Sequence, residues 1–499
     1  MQRLSATACW PVFNNEGMRT LEQNLQRSSL SPLMDKAGFA AAQLALSVAP
    51  HAQRIWIAAG PGNNGGDGLE AACHLHRWGK SVIVSLLGDV ETLPADARSA
   101  WQRATQAGIL ITQQIPWNEL QSMTEEDLCI DALLGLGASR PLSAAMRSWI
   151  EAINNSQAHI LALDIPTGLN PESGQLLGCV DAEPQAVHAE HTLTFIAAKP
   201  GMFMGHGRDL CGQIWLNTLT TPDASPDTIT APLASLNARH PTQTKSHASH
   251  KGSHGDVVVI GGESMARRGM GMTGAAVLAA TASLHAGAGR VMLHLLDDPP
   301  CTGIPSDVMR RDWSNLRLDT SSVVCGCGGG QAVIAVLPEV LQRSARLVLD
   351  ADALNALAKD THLQSLLQQR PANQPTVITP HPLEAARLLN TTRSDIQNNR
   401  LMAAQALADN LHCTVVLKGS GTVIAAPGEM ARINTTGNGK LATGGTGDVL
   451  AGLMGARLAQ GMDAFAAACS AVHQHGALAD EWPDHTALTA SRLARSLRY

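Results

Sequence analysis

Short apolar runs that alternate with helical stretches, twice over in one chain, constrain this sequence more than any other feature. In the first half, 54–59, 81–87, 128–134 and 159–164 read as strands, with 69–78 helical between the first two. The second half repeats the habit, with strands at 256–260, 290–296, 322–325, 346–350 and 376–379 and a helix over 273–286. Such alternation predicts parallel sheets covered by helices on both faces. Functional groups then gather at the C-terminal ends of the strands. The chain's 499 residues exceed one core at roughly 100–200 residues per domain. The apolar periodicity vanishes after Leu219, where Thr220-Thr221-Pro222-Asp223-Ala224-Ser225-Pro226-Asp227 dominates. Two α/β domains are therefore expected, over 1–218 and 246–499, joined by a linker at 219–245. His247, His250 and His254 lie just past it, without the Cys or carboxylate spacing of a metal site.

Composition narrows the function. One Tyr and five Phe leave Ala, Leu and Val to do the packing. A formal net charge of −6 gives no reason to expect a nucleic-acid partner. The ten cysteines include no C-x-x-C pair and read as reduced thiols. Neither a signal peptide nor an apolar run of about 18 residues is visible, so no membrane partner and a soluble, cytoplasmic protein are expected.

In the second half the segment Asn438-Gly439-Lys440-Leu441-Ala442-Thr443-Gly444-Gly445-Thr446-Gly447-Asp448 precedes an apolar helix over 449–458. Its small residues gather bare N–H groups at a helix N-terminus, where a phosphate would be held. Asp448, in the first turn, is placed to deprotonate a hydroxyl as phosphate is transferred to it. No G-x-x-x-x-G-K-[ST] occurs, so the site is kinase-like without a Walker loop. The plainer reading is a Gly-rich turn with a capping Asp.

Three loops in the first half sit where strands end. The first is Gly60-Pro61-Gly62-Asn63-Asn64-Gly65-Gly66-Asp67-Gly68, which departs from dinucleotide-binding spacing because Asn-Asn interrupts it. The second follows Asp131 and reads Gly135-Leu136-Gly137-Ala138-Ser139-Arg140-Pro141, and the third is Asp164-Ile165-Pro166-Thr167-Gly168. Two carboxylates with Asn and Thr oxygens suit a monovalent or weakly bound cation, and one Asp could instead do acid–base work. Alternatively, Asp131 and Asp164 merely cap loops at strand ends.

These loops resemble the NAD(P)H-hydrate epimerase domain. The second half resembles the ADP-dependent NAD(P)H-hydrate dehydratases of the ribokinase-like superfamily. The marks are His250-Lys251-Gly252, Val259-Ile260-Gly261-Gly262, Gly274-Ala275, Leu349-Asp350-Ala351-Asp352-Ala353-Leu354-Asn355, Thr379-Pro380-His381-Pro382, Lys418-Gly419-Ser420-Gly421-Thr422 and 444–448. In this order the pair is similar to the family of bifunctional NAD(P)H-hydrate repair enzymes. The resemblance implies a Rossmann-like sandwich followed by a ribokinase-like α/β/α domain. It implies epimerisation of the R and S hydrates of NADH and NADPH (NADHX and NADPHX), and dehydration of the S form at the expense of ADP, giving AMP and phosphate.

The same resemblance assigns residues. Asn63, Asn64, Gly65, Gly66, Asp67, Gly135, Leu136, Gly137, Ala138, Ser139, Arg140, Pro141 and the catalytic Asp164 would line the hydrate in the epimerase. Asn64, Asp131 and Thr167 would hold K+. In the dehydratase, Ala275, Gly328, His381 and the catalytic Asp448 would contact the hydrate. Lys418, Gly419, Ser420, Gly421, Thr422 and Gly447 would hold ADP, accompanied by Mg2+. Four departures from the family's pattern stand out. Thr167 replaces a usual Ser, and Leu383 replaces a Gly. Cys325-Gly326-Cys327-Gly328-Gly329-Gly330 stands where Gly-Pro-Gly-Leu-Gly is usual, and 263–272 is longer than usual and lacks a Tyr.

Two other functions compete. One is a small-molecule kinase for a vitamin precursor such as a hydroxymethylpyrimidine or thiazole alcohol. In the other the first domain is a non-catalytic module, as in relatives of this domain in eukaryotic RNA-decapping assemblies. Residues alone leave NADH against NADPH and ADP against ATP open. They also leave open whether the chain forms the homo-oligomer common among such enzymes.

Overall fold

The computed structural model describes residues 1–137, 140–178, 183–220, 230–240, 246–298 and 301–498. Two compact units result: Met1–Ser5 with Trp10–Ala234, and Ala6–Cys9 with everything from Ser235 onward. Much of the stretch read as linker, 221–229 and 241–245, lies outside the described residues. Between them Ala234–Asn237 is a strand, pairing Ser235 with Arg432 and Asn237 with Asn434. Among the described residues no helix is long and apolar enough to cross a membrane.

The first unit's sheet runs Gln2–Arg3, Gln213–Asn217, His191–Phe195, His159–Leu163, Leu128–Ala132, Arg54–Ala59, Ser81–Leu86, Leu110–Thr112. Every pairing is parallel except the antiparallel edge of Gln2–Arg3 on Gln213–Asn217. The chain order reverses between Arg54–Ala59 and Leu128–Ala132, so a crevice opens at their C-terminal ends. Two of the three loops picked out in the sequence leave from those ends.

The second unit repeats the plan, with Val308–Arg310, Arg290–Leu295, Asp256–Gly261, Ser322–Cys325, Arg346–Leu349, Thr376–Ile378 and Thr414–Leu417 side by side and parallel. Its reversal falls between Asp256–Gly261 and Ser322–Cys325. Beyond Thr414–Leu417 the sheet turns antiparallel through Val423–Ala425 and Arg432–Asn434. The segment 418–422 is therefore a hairpin connection, since Leu417 pairs with Val423. Central strands such as Asp256–Gly261 are buried from Val257 onward, which explains their unbroken apolar sequence.

Small residues set how closely the helices approach. The helix Thr273–His285 is Ala-rich, and Thr446–Ala459 carries both Ala and Gly. A Cβ on Gly452 would lie 2.1 Å from the carbonyl oxygen of Ala279, and Ser283 Oγ donates to Gly452 O at 2.9 Å. This close approach lets a chain poor in aromatics fill its core. The first unit's site helix begins at Asn63, not near 69, and runs to Arg77. Three glycines in its first turns argue against helix by propensity. Packing requires them, because a Cβ would sit 2.0 Å from Gly60 O at Gly65, 2.5 Å from Met34 Cε at Gly66 and 2.7 Å from Ala132 Cβ at Gly68.

Gly452→Ala should force the two helices apart and lower stability by about 1–3 kcal/mol, read from a denaturant midpoint. An unchanged midpoint would mean the contact is not tight.

Candidate active sites

In the first unit a buried knot ties two loops together. Asp131, fully buried at the end of its strand, accepts Thr167 Oγ1 at 2.8 Å and Leu133 N at 3.1 Å on Oδ1, and Thr167 N at 2.8 Å on Oδ2. Thr167 Oγ1 in turn accepts Leu134 N at 3.0 Å. Burial pushes the Asp131 carboxyl up to about 6, against these hydrogen bonds. Asn64 Nδ2 donates to Leu163 O at 3.2 Å. Its Oδ1 is buried with no partner among the described residues.

Asp164 follows directly, with φ 65°, a left-handed conformation that Asp tolerates better than most residues. The bend delivers Oδ2 to Leu136 N at 2.8 Å and Oδ1 to Lys199 Nζ at 2.6 Å. Lys199 is itself 1% exposed and also donates to Thr194 Oγ1 at 2.7 Å. A cavity of about 500 Å³ opens on this pair. Asn63, Asn64, Asp67, Gly135, Leu136, Gly137, Asp164 and Lys199 line it, with Glu22 across the mouth. Burial and the Asp164 charge raise both Glu22 and, much further, Asp67. The helix Asn63–Arg77 starts at this wall, and its N-cap, Gly62, offers no side chain to its first N–H groups.

Of the residues expected here, Gly65 and Gly66 are spent on helix packing and do not line the cavity. Arg140 and Pro141 are exposed and also lie off its lining, while Ala138 and Ser139 fall outside the described residues. Lys199 and Glu22 were missed. A lone Lys in the run Phe195-Ile196-Ala197-Ala198-Lys199-Pro200 was the available signal, since a buried ammonium needs an anion.

In the second unit Asp448 lies in the first turn of Thr446–Ala459, whose N-cap Gly445 (φ 93°) gives no side-chain cap. Opposite stands Asp350, 2% exposed, whose Oδ1 accepts Lys418 Nζ at 2.6 Å and Thr379 Oγ1 at 2.7 Å. Gly447 sits over this pair, its absent Cβ 3.5 Å from Lys418 Nζ. Burial, then the Asp350 charge, pushes Asp448 up to about 6. Cys327, Asp350 and Asp448 bring a sulfur and two carboxylate oxygens within 4.8 Å of one another. Ala275 and Gly328 are brought together, since a Cβ on Gly328 (φ 60°) would lie 2.9 Å from that of Ala275.

Second-unit loops are held by residues the sequence reading did not assign. Buried Arg400 donates to the carbonyls of Leu417, Lys418 and Gly421 at 3.0, 3.2 and 3.3 Å, and so shapes the 418–422 hairpin. Glu263 accepts Gln331 N at 2.7 Å and Ala332 N at 3.0 Å. Asp352 accepts Gly330 N at 2.8 Å. Ala351, at φ 51°, is strained so that its two neighbouring carboxylates face different partners. His381 caps the helix Pro382–Leu388 in a reciprocal box with Glu384, whose carboxyl burial pushes up to about 7. His250 likewise spends Nδ1 on Gly252 N at 3.1 Å.

Residues 30–201 match the family described as YjeF-related protein N-terminus, and residues 242–498 match NAD(P)H-hydrate dehydratase. The bifunctional NAD(P)H-hydrate repair enzyme of Escherichia coli (strain K12) is 35% identical over 466 residues, covering 91% of this chain and 85% of that protein. That of Leishmania braziliensis is 35% identical over 522 residues, covering 96% and 90%. The chain belongs to the family of bifunctional NAD(P)H-hydrate repair enzymes. A crystal structure of the Bacillus subtilis ADP/ATP-dependent NAD(P)H-hydrate dehydratase with ATP/Mg2+ is 29% identical, covering 51% of this chain and 91% of that one, with a TM-score of 0.41. The first match falls within the first unit and the second within the second.

Lys199→Met would leave the Asp164 carboxylate buried without its cation, at a cost of about 3–5 kcal/mol. Lys199→Arg should recover part of it. Equal midpoints for all three proteins would contradict the buried pair.

Proposed function

We propose that this chain repairs hydrated NADH and NADPH, epimerising the R and S hydrates in its first unit and dehydrating the S form with ADP in its second. The observation that carries this reading is Asp448, a carboxylate at an uncapped helix N-terminus beside the Lys418–Asp350 pair. The N–H groups of 444–447 and the helix dipole suit a transferred phosphoryl group, and the 418–422 hairpin suits the nucleotide that donates it. Hydroxide leaves a ring carbon poorly and phosphate leaves it well. Asp448 takes the proton of the hydrate's hydroxyl as its oxygen attacks the β-phosphorus of ADP, and AMP departs. The ring nitrogen's lone pair then expels phosphate as the C–O bond breaks, and loss of a proton from the neighbouring ring carbon to solvent restores the dihydronicotinamide. Mg2+ carried in with the nucleotide would supply counter-charge. Ala275, Gly328 and His381 form the wall for the hydrate.

The second unit accepts one configuration, which gives the first unit its purpose. There Asp164 passes a proton during reversible ring opening, or during loss and return of the hydroxyl, and Lys199 positions it. The open N–H groups at Asn63 and Asn64 suit the cofactor's phosphates. The donor set fits K+: Asn64 Oδ1 is buried without a partner, and Asp131 is buried among neutral donors only. Asn64, Asp131 and Thr167 would hold the ion, whose charge steadies the two loops. The described cysteines are all free, which supports a reducing, cytoplasmic setting.

Three measurements follow. Asp448→Asn should lower dehydration about 10²–10⁴-fold while calorimetry still finds ADP binding; full activity would remove Asp448 from the role of base. In the wild type, dehydration should climb as pH rises through about 6, where Asp448 loses its proton, and then level off. K+ should raise the first unit's melting temperature, and more so as pH rises through about 6, because proton and ion compete for Asp131. A K+ shift that is absent, or flat from pH 5 to 8, would count against the ion site.

A further inference from the structure

We propose that Cys327, Asp350 and Asp448 form a binding site for a thiol-seeking divalent cation such as zinc or cadmium, placed where it blocks the second unit's phosphoryl end. Among the described residues these three make up the one group of possible metal ligands whose donor atoms all lie within 4.8 Å of one another. A tetrahedral ion with bonds of about 2.3 Å to sulfur and 2.0–2.2 Å to oxygen needs its donors roughly 3.4–3.6 Å apart, so the three side chains would close on the ion as it binds. The fourth position is left to water. Asp350 is prepared for a second partner. Its Oδ1 is engaged by Lys418 and Thr379, while Oδ2 looks toward the position above Gly447, 4.0 Å from where a Cβ there would be.

The sulfur is held in place by its turn. Cys327 O accepts Gly262 N at 3.0 Å, and Gly328 O accepts Glu263 N at 2.7 Å, so the side chain between them is fully buried and aimed at Asp448. A glycine or proline at this position would offer no such donor. Magnesium and calcium prefer all-oxygen sites, whereas one thiolate beside two carboxylates selects zinc or cadmium. On binding, the cation replaces the Cys327 thiol proton, and that proton goes to water. The two carboxylates and the thiolate outweigh the single ammonium of Lys418, and a divalent cation neutralises the surplus. Binding of the cation does not depend on which reaction Asp448 performs.

The test is a cadmium titration of the reduced full-length chain, followed by its ultraviolet thiolate-to-cadmium charge-transfer band. Cys9, Cys179 and Cys301 are first changed to Ser, so that the remaining thiols are all buried. The expected result is one equivalent of cadmium whose band disappears in Cys327→Ser, and likewise in Cys327→Ala. Asp448→Asn should weaken its affinity about tenfold or more, and excess magnesium should not displace it. A thermal melt checks that each variant is folded. A band that survives Cys327→Ser, or no band in the parent, would overturn the proposal.

Discussion

A carboxylate carried out of water at the end of a parallel strand must find a cation or a set of N–H and O–H donors, and both units are organised around that requirement. Asp164 is answered by Lys199 at 2.6 Å, and Asp350 by Lys418 at 2.6 Å. In each case the Lys arrives from a separate segment, so the ion pair fixes a loop as well as a charge. Asp131 has no such cation and relies on Thr167 and Leu133. Burial therefore pushes its carboxyl up to about 6, against those hydrogen bonds.

The two units solve one problem with the same geometry. Each reverses its strand order once and opens a crevice at the C-terminal ends of the flanking strands. An uncapped helix begins in each crevice, at Gly62 in one and Gly445 in the other, and each helix meets a Lys-paired carboxylate. Phosphate-bearing molecules suit both. The difference lies in the group nearest the helix start: neutral Asn64 in the first unit, and Asp448, held near 6, in the second.

Much of this was legible in the sequence because strand ends announce themselves. Asp131, Asp164 and Asp448 could each be placed at a strand or helix terminus from the apolar run beside it. The glycines were harder to read. Gly65 and Gly66 were expected to line the hydrate, and they lie inside a helix whose packing also needs them, admitting the Gly60 carbonyl and Met34. Sequence cannot distinguish a glycine needed for a ligand from one needed for a neighbouring backbone. Lys199 and Arg400 were invisible for another reason. Their partners lie 35 residues away at Asp164 in one case and 17 to 21 away at Leu417, Lys418 and Gly421 in the other, and no local pattern encodes such pairings. The edge strands Leu110–Thr112 and Val308–Arg310 escaped because three residues carry too little periodicity to read.

The central claim is that one chain carries both activities. The direct measurement mixes the full chain, ADP and both epimers of hydrated NADH, and follows the dihydronicotinamide absorbance. Complete recovery of both epimers is the predicted result. Recovery that stops at the S epimer's share would leave the second unit a dehydratase and reduce the first to a binding module, contradicting the account.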